Sequence, residues 1–62
     1  MNRLRQARLR MDVSQLELMT MTNIHFTTLS RIERGWQKPS REQREKIARA
    51  LEVKPLWLFP EG

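Results

Sequence analysis

Apolar residues along this chain recur at helical spacing. Leu4, Ala7 and Met11 fall at i, i+3 and i+7, the repeat of a single helix face, and Asn2 stands where a helix N-cap is expected. Asp12 interrupts the pattern. Ser14 opens a second helix, and Glu17 completes the capping-box spacing; Leu18 and Met19 give this helix its apolar edge. Asn23 marks a turn, because Asn tolerates positive φ better than most residues. A third helix is predicted from about His25 to Arg34, stopped by Gly35. Its inner edge is Leu29 and Ile32. Its outer edge is Phe26, Thr27, Ser30, Arg31 and Arg34.

After the loop WQKPS, Ser40 and Gln43 repeat the capping-box spacing. They start a fourth helix that runs from Arg41 to about Leu51 and buries Ile47, Ala50 and Leu51. Pro55 follows the end of that helix, and the apolar tail PLWLF predicts a short fifth helix that closes the core. No stretch alternates with the two-residue period of a strand, and there is no tyrosine. The pattern predicts an all-α fold, a compact five-helix bundle containing a helix-turn-helix over 14–35, in one domain that spans 1–62.

Sixty-two residues make a core of marginal stability, since a domain of this size buries only roughly 60% of its unfolded surface. The chain has no cysteine and a single histidine, His25. Disulfides and the usual structural zinc sites are thereby excluded, and no metal or cofactor is expected. The burden falls on helix packing or a partner subunit. Twelve Lys and Arg stand against seven Asp and Glu, a net charge of +5. Such a balance favours a polyanionic partner, nucleic acid first and an anionic membrane surface second. No apolar run approaches the ~20 residues of a membrane span, and the charged start MNRLRQARLR lacks the apolar stretch of a secretory signal. A cytoplasmic location is expected.

Over residues 14–35 the chain resembles the helix-turn-helix domain of lambdoid phage repressors and Cro proteins. The residues that carry the likeness are Ser14-Gln15, Glu17-Leu18, Ile24 and Leu29-Ser30-Arg31-Ile32-Glu33-Arg34-Gly35. Leu4 and Arg8 upstream and Ile47 to Phe59 downstream extend it over essentially the whole chain. The resemblance implies a five-helix bundle whose third helix docks in a DNA major groove, usually in a homodimer bound to an operator. It gives base-reading roles to Phe26, Thr27, Ser30 and Arg31. Arg31 suits bidentate contact with guanine, and Thr27 can donate, accept or touch a thymine methyl. Phe26 has no hydrogen-bonding group and is matched to a thymine methyl instead. Phosphate contacts are expected from Gln15, at the start of the second helix, and from His25, Arg34, Trp36, Lys38 and Arg41. Arg8 and Glu33 stand where the family has a structural ion pair. The expected dimer surface lies around Leu56, Leu58 and Phe59.

Some positions depart from the family pattern. Met19 replaces a small residue where the second and third helices cross, and Asn23 replaces the turn glycine. Asp12 and Glu52 stand where glycine is common after the first and fourth helices. Leu16 and Met21 occupy positions that are usually polar. Arg3, Arg5 and Arg10 read most simply as a solvated helix face, and Trp57 and Phe59 as core.

The leading functional expectation is a transcriptional regulator, Cro-like or repressor-like, bound as a dimer to a pseudo-palindromic operator. With no room for an effector-binding or self-cleaving domain, the chain is read either as complete and Cro-like or as a fragment of a longer repressor. The alternative is an antitoxin that binds both a toxin and its own promoter; a protein partner such as a toxin or RNA polymerase stays open. A basic amphipathic protein of membrane surfaces is disfavoured by the capped short helices. Catalysis is not expected, because the chain has no carboxylate pair, catalytic cysteine or glycine-rich phosphate loop.

Overall fold

The computed structural model describes residues 2–61. Five helices follow in order: α1 (Leu4–Arg10), α2 (Gln15–Thr22), α3 (Phe26–Glu33), α4 (Arg41–Ala50) and α5 (Pro55–Leu58). Among the described residues there is no strand.

Two helix starts are set by the capping boxes legible in the sequence. Ser14 Oγ accepts the Glu17 N–H, and the Glu17 carboxylate accepts the Ser14 N–H. Ser40 and Gln43 repeat the exchange at α4. The start of α1 differs from expectation. Arg3, not Asn2, is its N-cap, and the Arg3 side chain caps nothing. Asn2 still serves the helix from one residue further out, where its Oδ1 accepts the Leu4 N–H. Its amide nitrogen donates to the Ile32 carbonyl at 2.8 Å, which ties the chain's start to α3.

Three helix ends share one device. After α1 the Val13 N–H donates to the Arg8 carbonyl and the Asp12 N–H to that of Leu9. The same pair of bonds follows α3, from Trp36 to Arg31 and from Gly35 to Ile32, and α4, from Val53 to Ala48 and from Glu52 to Arg49. This is the Schellman motif, which needs a left-handed residue just past the helix. That residue is Asp12 at φ 57°, Gly35 at φ 78° and Glu52 at φ 57°. Asn23, at φ 60°, makes the turn after α2.

Leu4, Leu18, Leu29, Ile32, Ile47, Leu51 and Leu58 are fully buried and join all five helices in one core. Two expectations about it need correction. Met11 is exposed, because α1 stops at Arg10 and Met11 becomes its C-cap; Arg8 takes the inward place beside Leu4 and Ala7. On α4 the buried stripe is Ile47, Ala48 and Leu51. Ala50 lies roughly 100° off the centre of that stripe and is only half-buried.

Candidate nucleic-acid interface

The inner edge of α3 is anchored at several points. Leu29 and Ile32 are fully buried. At its end Glu33 takes a bidentate contact from Arg8, with Nε to Oε1 at 2.9 Å and the second guanidinium nitrogen to Oε2 at 3.2 Å. The remaining Arg8 nitrogen donates to the Val13 carbonyl. The two side chains are only 11% and 14% exposed, so this expected pair is largely sheltered from water. Gln15 joins the same group by donating to Glu33 Oε2 at 3.4 Å. The α2 residue expected on phosphate therefore sits half-buried beside the ion pair that fixes α3.

The start of α3 is capped by unusual groups. His25 is the N-cap, and its Nδ1 accepts the Thr27 N–H at 3.1 Å. The Met19 sulfur accepts the Phe26 N–H at 3.3 Å. Methionine at the crossing of α2 and α3 thus supplies an acceptor that alanine or glycine lacks. The His25 and Phe26 rings lie 4.6 Å apart, inclined by 30°.

The outer edge carries what the sequence placed there. Phe26, Thr27, Arg31 and Arg34 are exposed, while Ser30 is half-buried. Beyond the helix Trp36 is 72% exposed, and the Arg34 guanidinium lies over its ring at 5.0 Å. The structure therefore joins these two expected phosphate-side residues in a cation–π pair. Lys38 is exposed in the loop that follows, and Arg41 shares its charge with Glu45 at 3.4 Å. The exposed edge of α3 thus starts with the apolar Phe26 ring between polar His25 and Thr27, continues with Arg31 and finishes on the cationic Arg34 beside Trp36.

Among the expected dimer residues the structure makes a division. Leu56 is 73% exposed, but Leu58 and Phe59 are 0% and 5% exposed. The latter two are core of the monomer, because α5 turns their side chains onto the bundle, and they have almost no surface left for a partner. Leu16 and Met21 are exposed on α2.

Three contributors were missed by sequence reasoning. Asn2 holds the Ile32 carbonyl, the Met19 sulfur caps α3, and buried Thr22 donates to the Leu18 carbonyl while accepting the Ile24 N–H, which fixes the turn. Of these only Thr22, immediately before Asn23, left a local signal, a hydroxyl beside a turn residue. Arg3 and Arg10 also do more than coat a solvated face. Their guanidinium groups lie 5.1 and 5.7 Å from the Trp57 ring centre, and Arg3 donates to the Trp57 carbonyl.

The acidity of Glu17 departs from its ordinary value. The Ser14 backbone N–H, and secondarily the Ser14 side chain, holds its carboxyl below the usual carboxylate range. Among the described residues no cluster of His, Asp and Glu could hold a metal ion, and no helix is long and apolar enough to cross a membrane.

A family model described as helix-turn-helix, of the Cro/C1 type, matches residues 4–58. No curated protein matches the chain closely enough to count as a relative.

Proposed function

We propose, from the premise that this chain belongs to the Cro/C1-type helix-turn-helix family, that it is a transcriptional regulator which occupies a pseudo-palindromic operator as a dimer. The observation that carries this reading is the division of α3. One edge is committed to the core and to the Arg8–Glu33 pair, and the other exposes Phe26, Thr27 and Arg31 together. A B-DNA major groove about 12 Å wide accepts one such helix. In the groove Arg31 grips guanine O6 and N7, worth about 1–3 kcal/mol of discrimination, while Thr27 and Ser30 complete the reading of base edges. Arg34, Trp36, Lys38, Arg41, His25 and Gln15 frame the groove on phosphates, which positions the helix without reading sequence.

One α3 reads only a few base pairs, so useful specificity calls for two half-sites about one helical turn apart. Leu56, exposed on α5, is the residue we assign to the contact between copies. Selection of bound sites from random DNA tests the proposal. A palindrome with half-sites about 10 base pairs apart is the expected result, and Leu56→Asp is expected to weaken binding to the full palindrome far more than to a half-site. Enrichment of no sequence at all would remove the operator reading.

A further inference from the structure

We propose that the start of α3 reads the C5-methyl group of pyrimidines, so that the protein distinguishes thymine from uracil and 5-methylcytosine from cytosine at one position of each half-site. The inference rests on the operator reading and specifies what its first base contact recognises.

The start of a helix ordinarily presents free N–H groups, which favour a phosphate or a polar base edge. Here two of them are already engaged within the chain. The Phe26 N–H donates to the Met19 sulfur and the Thr27 N–H to His25 Nδ1. What Phe26 offers outward is carbon. Its side chain is large and has no hydrogen-bonding group, and the residue remains 42% exposed. The His25 imidazole at 4.6 Å lies against its ring and limits the orientations that the phenyl group can take.

In the major groove the C5-methyl of thymine is the one apolar group the four bases present. Cytosine methylated at C5 carries the same group at the same place and differs at C4, where an amino donor replaces the carbonyl acceptor. A phenyl ring is indifferent to that exchange and sensitive to the methyl. The contact at Phe26 therefore responds to the methyl whichever pyrimidine bears it, while Arg31, with its fork of donors, reads guanine further along the helix.

The test begins with a duplex enriched from random DNA. Each thymine is replaced singly by deoxyuridine, each cytosine singly by 5-methylcytosine, and affinity is measured by fluorescence anisotropy. At one position per half-site, loss of the thymine methyl is expected to weaken binding about fourfold, the value of one buried methyl group. With cytosine placed at that position, methylation is expected to strengthen binding by about the same factor. Phe26→Asn should bring both ratios to one, and Phe26→Leu, which keeps an apolar side chain, should preserve them. Thermal melting of both variants checks that they are folded. Ratios of one at every thymine in the wild-type protein would overturn the proposal, as would ratios that persist in Phe26→Asn. Failure of the initial selection to enrich any sequence would instead overturn the operator reading on which the proposal depends.

Discussion

Asp12 and Glu52 occupy left-handed backbone positions at φ 57°, which cost an L-residue roughly 1–2 kcal/mol. Each also places a carboxylate past a helix C-terminus, the negative end of the dipole. Glycine relieves both penalties and gives back part of the gain through its freer unfolded chain. Asp12→Gly and Glu52→Gly are each expected to stabilise the domain by about 0.5–1 kcal/mol, read as a rise of several degrees in Tm. Gly35→Ala should have the opposite sign. A Cβ there meets nothing within 4 Å, so its cost is conformational, about 1 kcal/mol at φ 78°. Glu17 gives a further expectation at this scale. Its carboxyl is held below the ordinary value by Ser14 in the folded chain, so its contribution is present above the unfolded value and lost as pH falls through the folded one. Acid titration of Tm should show this loss below about pH 4.5, and Glu17→Gln should remove that part of the pH dependence.

Among the elements, α3 is held in place by several others. Its orientation is set by Leu29 and Ile32 within the core, by Asn2 from the chain's start, and by Arg8 from α1. Removing one side of a sheltered ion pair leaves the other charge without its partner, at a cost of roughly 3–5 kcal/mol. In a domain this small Glu33→Ala is expected to abolish the folding transition near room temperature, not only to weaken DNA binding. An unchanged Tm would contradict this. The sequence showed much of the element layer, because caps and turns are local. Ser14 with Glu17, Ser40 with Gln43, and Asn23 announce the boundaries that they form. Asn2 did not announce its bond to Ile32, since a contact across 30 residues leaves no mark in local spacing. Phe26, Thr27 and Arg31 were legible as an exposed edge because helical period alone separates them from Leu29 and Ile32. The tail was ambiguous for a physical reason. Leu58 and Phe59 gain the same burial from their own core or from a second copy, and apolarity alone does not say which.

For the whole molecule, a net charge of +5 makes association with DNA strongly salt-dependent through counterion release. Plotted as log affinity against log salt, the slope is expected to fall by about one when Lys38→Ala removes a phosphate contact, with loss of affinity similar for all sequences. Arg31→Ala should instead flatten the preference between sequences. The division of α3 has a further consequence, for how such a protein changes over time. Thr27 and Arg31 are exposed, and no side-chain bond that holds the fold passes through them. Exchanging them should leave stability within about ±0.5 kcal/mol, while altering the sequence that is bound. A lineage can therefore drift from one operator to another by steps that selection on folding hardly registers, and a library randomised at these two positions should remain largely folded.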